Sequence, residues 1–214
     1  VCTIPNLHAA DNNTELKTIS DIHSAYKNNT TTAEQLTRTY IDRINELNPK
    51  YNAVISIEPT AIEQAKQLDA LFKAGKWAGP LHGIAVLLKD NIETTGTLPT
   101  TAGSLALKNN VTNKDAFVVK QLRQAGAIIL GKANLSEWAN FRSSYSSSGW
   151  SAIGGQTHNA HDVTRNPCGS SSGSAVAVAL NFAPIALGTE TDGSITCPAS
   201  VNGVYAIKPS MGQV

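Results

Sequence analysis

Two segments near the N-terminus place apolar side chains at helical spacing. Between Thr31 and Pro49 the apolar positions recur every three or four residues, and Thr31 with Glu34 fits a capping box. This pattern predicts an amphipathic helix that ends at Pro49. Pro59 opens a second predicted helix, and Gly75 ends it. The predicted apolar faces consist of Leu36, Tyr40, Ile41, Ile44 and Leu47 in the first helix, and of Ile62, Ala65, Leu68, Leu71 and Phe72 in the second.

After Pro80 the pattern changes to short apolar runs that alternate with helices, which is typical of an α/β fold. Three runs have strand length: residues 84–88, 127–130 and 184–187. Asp115 is predicted to cap a helix that Gly126 ends. Its inward-facing residues are predicted to be Phe117, Val118, Leu122 and Ala125. A further helix, built of small residues, is predicted from about Gly173.

The first 14 residues show no periodicity and are predicted to form an arm. We therefore divide the chain into residues 1–75, which carry the arm and the first helices, and residues 76–214, which form an α/β unit.

Composition and charge exclude several classes of protein. The 214 residues carry 17 Lys and Arg against 16 Asp and Glu, a formal net charge of +1, and 41% of them are hydrophobic. A nucleic-acid-binding protein would show a basic excess, and a disordered chain would show fewer apolar residues, so neither class is expected. No apolar run reaches about 18 residues, so we predict no membrane span.

The three cysteines, Cys2, Cys168 and Cys197, follow no paired zinc-binding spacing and cannot all pair with one another. The sequence leaves open whether Cys168 and Cys197 are bonded. The start at Val1 and the Asn- and Thr-rich stretch at residues 11–32 suggest a trimmed N-terminus. We interpret this as an exported protein, secreted or periplasmic, with an engineered start as the alternative.

Three familiar site patterns are absent or incomplete. Residues 126–132 match the spacing of a phosphate-binding loop, but Ala133 replaces the Ser or Thr that would reach magnesium, and the segment reads as a buried strand. His158 and His161 lack a third ligand and are interpreted as surface residues, so no metal is expected. No GxSxG elbow of a Ser-His-Asp hydrolase occurs.

Two Gly- and Ser-rich segments are better candidates for chemistry. Residues 166–180 place serines and glycines at the start of a helix, where free N–H groups favour negative charge. In residues 188–198, Ser194 follows Asp192-Gly193 in a turn that can aim several backbone N–H groups at one point, as an oxyanion hole requires.

Lys89 ends the apolar run 83–88, so its ammonium group is predicted to lie in or beside the core. A buried lysine is rare unless it is paired or functional. Burial lowers a lysine pKa, and a sufficiently lowered pKa would make Lys89 a base near neutral pH. A salt bridge to Asp90 or Glu93 is the alternative.

Four stretches together resemble the amidase signature family: K-D-N at residues 89–91, PCGSSSGSA at 167–175, GTETDGSI at 188–195 and NGVYAIKPS at 202–210. Members of this family hydrolyse or transfer amides with a triad of two serines and a lysine. The resemblance extends from about residue 16 to the end and includes residues 79–92 and 125–138. Within the family, residues 134–142, 148–157 and 170–179 are most similar to bacterial peptide amidases, which remove the C-terminal amide of peptides.

The resemblance assigns a role to each matching residue. It makes Lys89 the base, Ser170 the bridging serine on a cis peptide and Ser194 the nucleophile, with Ser171 as the adjacent serine of the motif. The oxyanion hole and nearby substrate contacts fall on Thr191, Asp192, Gly193 and Ser194. Many relatives read GTDIGGS where this chain reads GTETDGS, so substrate contacts here are expected to differ.

The resemblance implies an amidase-signature fold, a mixed β-sheet surrounded by helices, and an amide hydrolase that forms an acyl-enzyme without metal or cofactor. The expected substrate is a small amide or a peptide amide, and the expected pocket wall includes residues 138–149. The alternatives are a general short-chain or aryl amidase and the glutaminase subunit of a tRNA amidotransferase. Since family members are generally about twice as long, we expect the fold to be incomplete at the C-terminus. The C-terminal part could then be a second chain, and the fragment could be an inactive binding module.

Overall fold

The computed structural model describes residues 18–213, and the predicted N-terminal arm lies outside the described residues. The helices are α1 (Ile19–Lys27), α2 (Ala33–Tyr51), α3 (Ala61–Lys73), α4 (Phe117–Gln124), α5 (Ser172–Ala179) and α6 (Thr196–Val201). The strands are β1 (Val54–Ile57), β2 (Ala85–Lys89), β3 (Ile128–Ala133), β4 (Trp150–Ser151), β5 (Gly155–Gln156) and β6 (Ile185–Leu187). Short 3-10 turns occupy Leu105–Leu107 and Glu137–Asn140.

The main sheet has the order β1-β3-β2-β6. Strand β2 runs parallel to both β3 and β6, whereas β1 pairs antiparallel with β3, so the sheet is mixed as expected. Strands β4 and β5 form a separate antiparallel pair. No helix among residues 18–213 is both long and apolar enough to cross a membrane.

Strand β2 is buried on both faces, which explains why its sequence is a continuous apolar run. Ala85 and Leu87 pack in the cluster that includes residues of α2 and α5, whereas Val86 and Leu88 pack in the cluster that includes Val119 of α4. Since side chains alternate along a strand, Lys89 continues the face of Ala85 and Leu87. This alternation directs the Lys89 side chain toward the start of α5.

The α2 prediction needs two corrections. The capping box uses Thr32 and Gln35 instead of Thr31 and Glu34, and the helix continues through Pro49 to Tyr51. The start is decided by Asp69, whose carboxylate accepts hydrogen bonds from the N–H groups of Ala33 (2.8 Å) and Glu34 (2.9 Å). The end is closed by Asn52 in the left-handed region, whose N–H donates to the Asn48 carbonyl at 2.7 Å.

The α4 prediction was wrong about the cap and about one inward residue. The helix begins at Phe117 without a side-chain cap, because the Asp115 carboxylate binds Thr95 and Arg123 instead. Phe117 is 67% exposed, whereas Val119, which is not among the predicted inward-facing residues, is fully buried. Val119 lies on the same helical face as Val118 and Leu122, and Phe117 lies beside that face.

Candidate active site

Lys89 lies at the end of β2 and is completely buried. Its Nζ donates hydrogen bonds to Ser170 Oγ at 2.7 Å, to Thr189 Oγ1 at 2.8 Å and to the Thr189 carbonyl at 3.2 Å. No ion pair to Asp90 or Glu93 forms within the described residues. The salt-bridge alternative for Lys89 is therefore not what the structure contains.

The sheet register explains why Lys89 and Thr189 meet. Leu88 of β2 pairs with Leu187 of the parallel strand β6, so the residues that follow both strands emerge at the same edge of the sheet. Asn91 completes this contact, because its Nδ2 donates to Thr189 Oγ1 at 3.0 Å. Sequence reading missed Thr189 and Asn91, since only the pairing of β2 with β6 brings them to Lys89.

Burial lowers the pKa of Lys89 from 10.5 to about 7, and the negative charge of Glu190 opposes this shift. A lysine with a pKa near 7 is substantially neutral at physiological pH and can accept a proton. The hydroxyl at 2.7 Å from Nζ is that of Ser170, so this pair can exchange a proton directly.

Ser170 is fully buried and follows a cis peptide bond between Gly169 and Ser170. The resemblance implied a cis peptide at this serine. The Ser170 carbonyl accepts a hydrogen bond from the Ser136 N–H at 3.1 Å, which attaches the serine segment to the chain after β3. The neighbouring Ser172 hydroxyl donates to the Cys168 carbonyl at 2.6 Å. The backbone on both sides of Ser170 is thus held in place.

Ser171 links the serine segment to the segment that carries Ser194. Its hydroxyl accepts a hydrogen bond from the Thr189 N–H and lies 3.2 Å from the Thr189 carbonyl, to which it donates. Its own N–H donates to the Ser194 carbonyl at 3.0 Å. The structure therefore brings Lys89, Ser170 and Ser171 into one hydrogen-bonded group and attaches Ser194 through its backbone.

The turn before α6 has the features expected of an oxyanion hole. In the described part of the chain, none of the N–H groups of Thr191, Asp192, Gly193 and Ser194 donates to a protein acceptor. Gly193 has a φ of +74°, which few side chains tolerate. The Ser194 hydroxyl likewise makes no hydrogen bond to any residue between 18 and 213. Thr191 and Asp192 are exposed, and Ser194 is half-buried.

Glu190 is a residue of this site that sequence reading noted only as a departure from the family pattern. Its Oε2 accepts hydrogen bonds from the N–H groups of Ile195 (2.6 Å) and Thr196 (2.8 Å) at the start of α6. These bonds hold the pKa of Glu190 below its ordinary value, chiefly through Thr196. Its carboxylate therefore stays charged and fixes the residues that follow Ser194.

A second buried lysine, Lys132 of β3, does not contact the serines. Its Nζ donates to the Ile92 carbonyl (2.6 Å) and to the hydroxyls of Thr94 (3.0 Å) and Thr100 (2.9 Å). Burial lowers its pKa to about 8, and Asp90 opposes that shift. The segment that mimics a phosphate-binding loop is a fully buried strand, which confirms the prediction from its sequence.

The two candidate metal ligands are each bonded to a backbone carbonyl. His158 Nδ1 lies 2.8 Å from the Val163 carbonyl, and His161 Nε2 lies 2.9 Å from the Asn202 carbonyl. Across residues 18–213, no three His, Cys, Asp or Glu side chains are grouped as metal ligands.

Residues at the start of the predicted pocket wall border a cavity of the structure. Trp138 and Ala139, together with Asn91 and Leu107, line a cavity of about 280 Å³. The rest of the predicted 138–149 wall includes Phe141, which is 89% exposed.

The question about the cysteines that the sequence left open is answered by the structure, in which Cys168 and Cys197 form a disulfide with their Cα atoms 5.9 Å apart. Cys168 lies two residues before Ser170, and Cys197 lies three residues after Ser194.

Comparison with known proteins agrees with this geometry. Residues 35–214 match the family model described as Amidase. The chain belongs to the amidase family. It is 51% identical over 197 residues to a probable amidase of Arabidopsis thaliana, a match that covers 91% of this chain and 38% of that protein. It superposes on the native peptide amidase of Stenotrophomonas maltophilia with a TM-score of 0.84 at 50% identity, covering 86% of this chain and 38% of that one.

A third relative belongs to a different kind of enzyme, a glutamyl-tRNA(Gln) amidotransferase of Symbiobacterium thermophilum. The chain is 46% identical over 184 residues to one of the subunits of that enzyme, and the match covers 85% of this chain and 36% of the relative. The chain thus spans less than half the length of each of these three relatives.

Proposed function

We propose that the protein hydrolyses carboxamides and releases ammonia, with C-terminal peptide amides as its preferred substrates. The observation that carries this proposal is the 2.7 Å contact between Lys89 Nζ and Ser170 Oγ in a fully buried environment, beside a turn with four free N–H groups. The preference for peptide amides rests on the similarity to the peptide amidase of Stenotrophomonas maltophilia.

In the proposed reaction, Ser194 Oγ attacks the amide carbonyl carbon and passes its proton to Ser170 Oγ. Ser170 in turn gives its own proton to the neutral amine of Lys89. The developing oxyanion accepts hydrogen bonds from the free N–H groups of residues 191–194. When the C–N bond breaks, the relay runs backward and protonates the leaving nitrogen, which departs as ammonia. Water then attacks the Ser194 ester by the same relay and releases the carboxylic acid.

Labelling with a fluorophosphonate tests the assignment of the nucleophile. We expect one covalent adduct on Ser194, identified by intact mass and peptide mapping, and none in Ser194→Ala. Ser200→Ala is the matched control, because Ser200 is an exposed serine of α6 outside the relay and its loss should leave labelling unchanged. An adduct on a different serine of the folded protein would refute the assignment.

A glutaminase subunit of a tRNA amidotransferase is the second candidate, favoured by the 46% identity to the Symbiobacterium protein. Ammonia release separates the two functions. We expect release from an N-blocked peptide amide without ATP, tRNA or a partner protein. Activity restricted to glutamine and dependent on a partner would instead support the second candidate.

A further inference from the structure

The disulfide joins the two segments that carry the candidate serines. Cys168 precedes the Gly169–Ser170 bond, and Cys197 lies in the first turn of α6, three residues after Ser194. Each half of the disulfide is also bonded into its own segment through its backbone. The Cys168 N–H donates to Asn166 Oδ1 at 2.7 Å, and the Cys197 N–H donates to the Gly193 carbonyl at 2.9 Å. A displacement of either sulfur would therefore be transmitted to the adjacent serine.

Besides the contacts that Lys89 and the Ser171 hydroxyl make with Thr189, two further non-covalent links join the same segments. One is the 3.0 Å hydrogen bond from the Ser171 N–H to the Ser194 carbonyl. The other is provided by the buried Asn202, whose Nδ2 donates to the Pro167 carbonyl at 3.0 Å and to the Pro198 carbonyl at 2.8 Å. These buried links would hold the segments near each other without the disulfide, but each is a non-covalent contact that can open transiently, whereas the disulfide is a covalent bond.

We propose that the Cys168–Cys197 disulfide is a positioning element of the relay, which sets the spacing between Ser170 and Ser194 and makes hydrolysis dependent on its oxidised state. This inference rests on the proposed function. Among the described residues, the hydrogen-bond partners of Lys89 Nζ are Ser170 and Thr189, so we expect the disulfide to act on the proton transfer between the two serines. Misplacement of reacting groups by about 1 Å can lower a rate by about a hundredfold.

Both cysteines are half-buried, so a small dithiol can reach the bond. Dithiothreitol would reduce the disulfide to two thiols and become the cyclic disulfide itself, a two-electron exchange. The test compares oxidised and reduced protein in ammonia release from a peptide amide, at a temperature well below the unfolding midpoint of the reduced form. Alkylation and mass spectrometry verify the two new thiols.

We expect reduction to lower kcat by about tenfold to a hundredfold with KM within about twofold, and reoxidation to restore kcat. The acid limb of the pH profile should move little, because burial is the main cause of the lowered pKa of Lys89 and Lys89 stays buried on β2. The double variant Cys168→Ser/Cys197→Ser is the matched control. It should have the low kcat of the reduced protein, and dithiothreitol should not change that kcat. A fully reduced, folded protein with unchanged kcat would overturn the inference, and so would a change confined to KM.

Hydrogen exchange provides a readout that does not need activity. Reduction should speed exchange in peptides that contain residues 166–175 and 188–197 while the β2–β3 region stays protected. A protein that hydrolyses no amide in either state would refute the proposed function. Unchanged exchange in both segments would refute the positioning role on its own.

Discussion

The pH dependence of acylation tests whether Lys89 is the base. Its pKa is lowered by burial from 10.5 to about 7. At pH 7 about half of such lysines are neutral, whereas an ordinary lysine would be neutral in only about one molecule in 3000. Since only the neutral amine accepts a proton, we expect kcat/KM to be flat above about pH 8, to be half-maximal at about pH 7, and to fall about tenfold per pH unit below about pH 6. At pH 5 about 1% of the plateau should remain.

The Glu190→Gln variant changes this profile in a defined direction. The Glu190 carboxylate raises the pKa of Lys89, so its neutral replacement should lower that pKa and shift the acid limb to lower pH. Glutamine keeps one acceptor for the N–H groups at the start of α6. Asp162→Asn is a suitable control, because the Asp162 carboxylate is exposed and pairs with Arg165.

The assay is kcat/KM for one neutral peptide amide from pH 5 to pH 9 at constant ionic strength, with circular dichroism to verify folding at each pH. A profile without an acid limb in the wild-type protein would refute Lys89 as the base. A limb that moves to higher pH in Glu190→Gln would refute the electrostatic argument.

The remaining predictions concern stability. Lys89→Met should abolish labelling. In urea denaturation at pH 7 it should also raise the free energy of unfolding by about 2 kcal/mol. The reason is that lowering the pKa of Lys89 from 10.5 to about 7 costs the folded protein about 5 kcal/mol, and the variant removes that cost. Between pH 7 and 10.5 the Lys89 amine is protonated in the unfolded chain but neutral in the folded protein. The free energy of unfolding of the wild-type protein should therefore rise with pH through this window, and Lys89→Met should lack this rise. Lys132→Met should instead lower the free energy of unfolding by about 3 kcal/mol. It removes the donor to three buried acceptors and a positive charge that favours the buried Asp90 carboxylate. An equal effect of both lysine variants would contradict the assignment of one functional and one structural lysine. Gly173→Ala should cost about 1–3 kcal/mol in the same assay, because a Cβ there would collide with the backbone of Ala53 and Asn134, and an unchanged midpoint would show that α5 can move away from the sheet.

Local sequence patterns predicted much of the fold, because the patterns are set by burial within single elements. The apolar runs at residues 84–88 and 127–130 correspond to β2 and β3, and Gly173 lies in the first turn of α5. The sequence predictions were wrong where a contact with a residue distant in sequence determines the start or end of a helix. Both Thr31 with Glu34 and Thr32 with Gln35 fit a capping box, and only the carboxylate of Asp69 selects the second.

The residues of the candidate site likewise fall into two groups, those that local sequence predicts and those that only the fold brings together. Lys89 and the serines carry local signals, namely a charge at the end of an apolar run and glycines and serines at a helix start. Thr189 carries no such signal, since a threonine after a strand is ordinary, and its contact with Lys89 depends on the register of β2 with β6. Glu190 is recognisable as a helix-capping acid only once the turn before α6 is known.

The two buried lysines show which part of a sequence pattern is informative. Lys89 and Lys132 lie on adjacent parallel strands, Leu88 pairs with Lys132, and burial lowers both pKa values. A buried lysine at a strand end therefore does not identify the base by itself. What differs is the face of the sheet: Lys89 shares the face of Leu87, which packs in the cluster with α5, whereas Lys132 contacts Ile92, which packs in the cluster with α4. Only the α5 face carries the serines. Whether a lysine occupies an odd or an even position in its strand determines which face it lies on, and this position distinguishes a proton acceptor from a structural cation.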